Sequence, residues 1–252
     1  MERPIAHRGL FIPGLSPENS LAAFRAALDF GFGMECDVRL SGDGLVCVFH
    51  DETLERLSDG VGVVSEVPFG QLRANRLQGT SEGIPLLQDL LALVAGRCPL
   101  VIELKSFDAG GWHVDGALEE AVVKALSGYR GPVVLKSFNP HSVGCLIDLQ
   151  AAWPVGQISC RMEADGDFAF LSTTEAQALA ALETDAARRA HFISYGIGDL
   201  DDGLRFRSEH AAKPWMSWTI RTPGQLAKAA QMRCQFVFER TVLQEVLEQS
   251  QK

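Results

Sequence analysis

Excess positive charge is the first thing this 252-residue chain lacks: 23 Lys and Arg stand against 32 Asp and Glu, a formal net charge of −9. Nucleic acids and anionic membrane surfaces attract the opposite field, so neither is expected as a partner. An anionic substrate would have to be drawn in by local cations. Paired cysteines are missing too. Cys36, Cys47, Cys98, Cys145, Cys160 and Cys234 are scattered with no C-x-x-C spacing, which argues against a zinc site or a disulfide framework. All six read as small buried hydrophobes. No apolar run is long enough to span a bilayer, and "MERPIAHRGL" (1–10) holds no leader-like apolar core. The expected compartment is the cytoplasm, without stable membrane association. Neither an internal repeat nor a low-complexity linker is visible. No G-x-G-x-x-G follows the first apolar run, since "AHRGLFIPG" (6–14) departs from it.

What is present is an ordinary globular composition, 46 % hydrophobic and 22 % charged. Short apolar runs occur at 4–7, 34–40, 99–105, 131–138, 154–160, 190–197, 213–220 and 233–239. Helical patterns separate most of them, at 19–30, 86–96, 116–127, 173–189 and 223–231. In the first, Leu21, Phe24, Ala27 and Leu28 share a face, with Asn19 or Ser16 as candidate caps. Eight alternating units in one chain of this length predict an α/β fold, a TIM (β/α)8 barrel forming a single domain over 1–252. An open doubly wound sheet is the runner-up. The stretch 51–84 is too long for a plain loop and reads as a small, partly ordered insertion after the second strand.

The stretch "GMECDVRL" (33–40) reads as a buried strand, yet Glu35 and Asp37 share one face of it. Two uncompensated acids there would repel and lose hydration. Barrel chemistry sits at the C-terminal ends of the strands. His7 ends the first strand, Glu35 and Asp37 the second, Glu103 and Lys105 the third. An isolated acid at a strand end is usually a solvated loop residue; three at one rim call for compensation by a hard divalent cation, Mg²⁺ or Ca²⁺, a choice the ligand type leaves open. The turn "SGDG" (41–44) returns the chain through "LVCVFH" (45–50). If Leu40 pairs with Leu45, Asp37 lies opposite Val48 and Glu35 opposite His50. Two histidines converging on a carboxylate rim suggest a proton donor and acceptor. With Arg8 and Lys105 as phosphate-binding cations, the set suits phosphate ester cleavage.

The pieces "AHRG" (6–9), "PENS" (17–20), "ECDVRLSGDGLVCVFHDETLERLSDG" (35–60), "IPLLQDLL" (84–91), "IELK" (102–105), "SFNP" (137–140) and "SWTI" (217–220) occur in an order that resembles the glycerophosphodiester phosphodiesterase family. The resemblance implies a TIM barrel and metal ligation by Glu35, Asp37 and Glu103. It also implies His7 and His50 as catalytic acid and base, Arg8 and Lys105 near the phosphate, and Glu18 in support. Members cleave small-molecule glycerophosphodiesters to sn-glycerol 3-phosphate and an alcohol. Attack by water and attack by the substrate's glycerol hydroxyl both remain open, as does a homo-oligomeric state. Competing readings are a phospholipid- or lysophospholipid-cleaving phosphodiesterase and a non-catalytic phosphodiester-binding barrel. The family's usual T-D pair on the last strand is replaced by Phe238 and Glu239, and its "WTVN" reads "WTIR", placing Arg221 there. Glu239 is a partial substitute for the acid and Arg221 an added rim cation.

Phe138 and Trp218 divide evenly between lining a substrate pocket and packing the core. Trp215 reads as packing. Lys136 either reaches the phosphate or snorkels outward. His113, His141, His191 and His210 have no acid at useful spacing and read as structural or surface residues. The tail 244–252 reads as a solvated closing helix.

Overall fold

The computed structural model describes residues 3–162, 168–201, 210 and 212–250. Eight strands alternate with helices in the order expected of a (β/α)8 fold, and the chain divides into two compact units. The first comprises Ile5–Lys105 and Gly116–Val133; the second contains Ser106–Asp115 and the chain from Val134 onward.

In the first unit, β1 (Ile5–Ala6) pairs in parallel with the start of β2 (Gly33–Leu40), and β2 pairs in parallel with β4 (Leu100–Leu104). This pairing puts Asp37 opposite Glu103 and Glu35 opposite Val101, so the acids of two strands arrive at one level. α1 (Leu21–Asp29) buries Ala23, Phe24 and Ala27. Its cap is Ser20, whose hydroxyl accepts from the Ala23 N–H at 3.2 Å, and neither Asn19 nor Ser16 fills that role. Asn19 is in a left-handed conformation (φ 60°) and its side chain is engaged elsewhere. Between β1 and α1, Gly9 has φ +78°, and a Cβ there would meet the Ala23 carbonyl carbon at 2.7 Å. Only glycine satisfies both constraints.

β3 (Val46–Val48) runs antiparallel to β2, with Val38 opposite Val48 and Leu40 opposite Val46. The register is therefore one residue away from the Leu40–Leu45 pairing expected of the turn. Ser41 caps the turn, donating to Asp43 at 2.6 Å while accepting from the Leu45 N–H at 3.0 Å, and so absorbs one more residue than a minimal hairpin. Phe49 N–H then donates to the Asp37 carbonyl, which brings His50 past the level of Asp37.

The excursion 51–84 is ordered. It contains α2 (Phe69–Leu72) and packs its own apolar core of Leu54, Leu57, Val64, Phe69, Leu72, Leu77 and Ile84 against Cys47 and Phe49. α3 (Leu87–Val94) and α4 (Ala117–Leu126) complete this unit.

In the second unit, β7 (Val133–Ser137, which enters this unit at Val134), β8 (Val155–Ser159), β9 (Phe192–Gly196), β10 (Trp215–Ile220) and β11 (Gln235–Phe238) form successive parallel pairs. Their helices are α5 (Pro140–Asp148), α6 (Thr173–Ala180), α7 (Asp185–Arg189), α8 (Pro223–Gln231) and α9 (Leu243–Ser250). The single helix expected over 173–189 is two, because Leu182 turns left-handed (φ 60°) and Thr184 caps a new start by accepting from the Ala187 N–H. A hairpin of β5 (Phe107–Asp108) and β6 (Gly111–Trp112) was not anticipated. Among the described residues, no helix is long and apolar enough to cross a membrane. None of the six cysteines is in a disulfide; Cys145 and Cys160 are only partly buried, which corrects the expectation that all six are buried.

Candidate active site

The expected acid trio, both expected catalytic histidines, Arg8, Glu18 and Lys105 all fall within the first unit. Glu35 (0 % exposed), Asp37 (1 %) and Glu103 (5 %) each bring one carboxylate oxygen within 4.8 Å of the others. Their compensation is partly internal. Lys105 Nζ pairs with Asp37 Oδ1 at 3.2 Å and donates to Glu103 Oε1. Arg8 Nε lies 3.1 Å from Asp37 Oδ2, and the Arg8 backbone N–H donates to Glu35 Oε2 at 3.2 Å. That last bond depends on Arg8's left-handed backbone (φ 54°), the step before Gly9.

Buried Lys105 and partly buried Arg8 against three buried carboxylates leave one formal negative charge. The donor set is all oxygen, preorganised and buried, and it fits a hard divalent cation. Burial opposes the charge on Asp37, but Lys105 and Arg8, aided by His50 and His7, outweigh it and hold the carboxyl well below the usual carboxylate range. Asn19 adds to this hold. Its Nδ2 donates to Asp37 Oδ2 at 2.9 Å, and its Oδ1 accepts from the Asp37 N–H at 3.2 Å.

His50 Nδ1 lies 2.7 Å from Asp51 Oδ1. Burial works against the Asp51 charge, yet hydrogen bonds from His50 and Arg56 hold its carboxyl well below the ordinary range. An ionised carboxylate only accepts, so Nδ1 carries the proton and Nε2 is the basic nitrogen. Burial and then the nearby Lys105 lower the His50 pKa, despite Asp37 and Asp51. Arg39 fixes the backbone on both sides of the rim, its Nε donating to the His50 carbonyl at 2.9 Å and its Nη1 to the Lys105 carbonyl at 3.4 Å.

Glu18 accepts from Arg8 Nη1 at 2.5 Å. Burial opposes its charge, but Arg8 and Arg56 outweigh burial and lower its pKa. Sequence reasoning assigned no role to Asn19 beyond capping, and none to Arg39, Asp51 or Arg56. The available signal was that three of them flank residues already chosen: Asn19 follows Glu18, Asp51 follows His50, and Arg39 shares the Glu35–Asp37 face.

The remaining expectations fall in the second unit. Phe138 and Trp218 pack edge to face with centroids 5.4 Å apart, in a cluster with Phe107, Trp112, Phe168 and Phe170. Lys136 is 2 % exposed, so it does not snorkel to solvent. Arg221 and Glu239 form a bidentate pair at 2.8 and 3.0 Å, a pairing that reading each residue singly did not foresee. His113 does have an acid, Asp108 Oδ2 at 2.6 Å, which the β5–β6 hairpin folds back onto it.

The fold and site together define an α/β barrel protein carrying a buried, cation-ready acid trio with a histidine–aspartate pair beside it. Comparison with known proteins narrows this class. The glycerophosphoryl diester phosphodiesterase family matches residues 7–238, and the chain belongs to it. A glycerophosphodiester phosphodiesterase of Caldanaerobacter subterraneus subsp. tengcongensis is 34 % identical over 151 residues, 55 % of this chain and 59 % of that protein. Glycerophosphodiester phosphodiesterase 1 of Homo sapiens is 37 % identical over 97 residues, 35 % of this chain and 29 % of that one. The matched segment thus spans under two thirds of either relative. Among solved structures, a putative glycerophosphoryl diester phosphodiesterase from Agrobacterium tumefaciens has a TM-score of 0.79 at 22 % identity, covering 100 % of both chains. An Oleispira antarctica phosphodiesterase, solved with its product sn-glycerol-3-phosphate, has a TM-score of 0.75 at 22 % identity over 98 % of this chain and 96 % of that one. At that identity these two speak for the fold, the expected TIM barrel.

Proposed function

We propose that this protein is a metal-dependent glycerophosphodiester phosphodiesterase, releasing sn-glycerol 3-phosphate and an alcohol. The observation that carries the reading is the buried trio Glu35, Asp37 and Glu103, left one formal charge short of neutrality beside His50 and its aspartate. These three residues would hold Mg²⁺ or Ca²⁺, and the chemistry such an ion supplies is stabilisation of charge on a non-bridging phosphoryl oxygen.

The chain's own residues do the rest. Lys105 and Arg8 supply the local positive charge that a protein of net charge −9 needs to bind an anion. Glu18 orients Arg8 through its 2.5 Å bond. His50, neutral with its Nδ1 proton held by Asp51, offers Nε2 to accept a proton. His7, on the residue after β1, takes the complementary role and donates to the leaving oxygen. The family resemblance and the product bound by the Oleispira phosphodiesterase both favour a glycerol-containing diester.

The test is a screen of glycerophosphodiesters after chelation and re-addition of Mg²⁺, Ca²⁺ or Mn²⁺, assaying glycerol 3-phosphate. Release should require the cation, and His7→Ala and His50→Ala should each cut kcat/KM by about 10²–10⁴-fold. Turnover that ignores the chelator would overturn the metal role. Binding of diesters without turnover would make this a sensor, and cleavage of lysophospholipids alone would reassign the substrate.

A further inference from the structure

We propose that Arg56 is a positioning residue for this site, joining the aspartate that orients His50 to the glutamate that orients Arg8. All three guanidinium nitrogens are used. Nε and Nη2 donate to the two oxygens of Asp51 at 2.5 and 2.6 Å, while Nη1 and Nη2 donate to the two oxygens of Glu18 at 3.3 and 3.1 Å. The chain of contacts runs His50–Asp51–Arg56–Glu18–Arg8–Asp37, alternating in charge from Asp51 onward.

Isolated surface ion pairs are worth little, because two flexible side chains must be ordered in water. Arg56 differs in geometry. Its side chain is half-exposed, but the carboxylates it grips are 18 % and 9 % exposed, and each is gripped by both oxygens. The planar fork of arginine suits such two-point contacts, which a lysine cannot reproduce. The neighbours Leu54 and Leu57 are each 1 % exposed in the excursion's own core, so the backbone that carries Arg56 is anchored independently of its charge.

Without the guanidinium, Asp51 and Glu18 would face each other as like charges across the gap it fills. Asp51 would be free to swing from His50 Nδ1, and the grip of Glu18 on Arg8 would slacken. The excursion 51–84 therefore delivers the cation that locks two arms of the site at once.

The proposal rests on the diesterase reading, and its test separates the two. Arg56→Ala and Arg56→Lys would be compared with the wild type for Mg²⁺-supported turnover. Imidazole ¹⁵N spectra of the substrate-free protein would report the His50 tautomer. In Arg56→Ala, kcat should fall about 10–100-fold, the range typical of lost outer-shell partners. Sub-denaturing guanidinium should restore part of it by filling the vacated place. The His50 signal should pass from one Nδ1-protonated tautomer to a mixture. Arg56→Lys keeps the charge and the stem, so it tests the fork even if the alanine variant unfolds; it too should lose turnover. If both variants keep kcat within about twofold and a single His50 tautomer, the proposal fails. If the wild type cleaves no diester, the diesterase reading fails, and the tautomer alone judges the positioning claim.

Discussion

Lys105→Met gives the sharpest test of how the acid trio is compensated. The ammonium is 6 % exposed and lies against Asp37 and Glu103; methionine keeps much of the stem's volume and deletes the charge. The formal charge of the cluster Glu35, Asp37, Glu103, Arg8 and residue 105 goes from one negative to two. Removing one partner of a buried ion pair typically costs about 3–5 kcal/mol, because the other charges remain buried and uncompensated. In a domain of this size that is a fall in Tm of roughly 6–20 °C. The assay is thermal or urea unfolding with and without a divalent cation. A cation at 100 times its Kd should stabilise the wild type by about 2.7 kcal/mol. The variant should gain more than the wild type from saturating cation, because its site holds one more negative charge. A variant as stable as the wild type in chelator would refute the reasoning, as would one that gains nothing from the cation.

Two further outcomes follow from the same geometry. The native carboxyl pKa values of Asp37, Asp51 and Glu18 are depressed, so the stability they contribute is complete above the unfolded value near 4 and is lost as pH falls below it. His50 is also depressed, so the unfolded chain takes its proton first and stability begins to decline below about pH 6.5. Tm measured in chelator should show both phases, and His50→Gln should remove the upper one; a Tm that rises from pH 7 to 5 would contradict this. Asn19→Gly keeps the left-handed backbone and deletes both bonds to Asp37, a loss of about 1–3 kcal/mol by urea denaturation. Asn19→Ala should be less stable still, since it adds a Cβ at φ 60°.

Much of this site was legible because its chemistry obeys simple periodicities. Glu35 and Asp37 fall two apart on a strand, as do Glu103 and Lys105, and the alternation rule puts each pair on one face. The parallel register that sets Asp37 opposite Glu103 needed the structure, yet the barrel order already made those strands neighbours. The turn register was missed by one residue because Ser41 bonds within the turn, a side-chain effect that no strand pattern encodes. Asn19 was misread for a similar reason. Asparagine suits both a helix cap and a left-handed backbone, and its contact lies 18 residues away at Asp37. Arg56 belongs to a polar stretch whose fold is fixed by a small apolar core, and its partners are 5 and 38 residues distant. The Arg221–Glu239 pair escaped notice because the two were considered singly, each against a family pattern and not against the other.

The internal cations of the acid trio also bear on how this protein can drift. A change in Asp37 alone takes one of two carboxylate partners from both Lys105 and Arg8, which keep Glu103 and Glu18, and a change in either cation leaves Asp37 with the other alone. Single steps at this rim should therefore cost stability that a second, compensating change restores. Arg221 and Glu239 live under a weaker rule. Arg221 is half-exposed, so water can cover the loss of Glu239, whereas Glu239, 16 % exposed, keeps a partly buried charge if Arg221 is lost first. Epistasis should thus be steep at the ends of the first and second strands and one-sided at Arg221 and Glu239, where position 239 can change first.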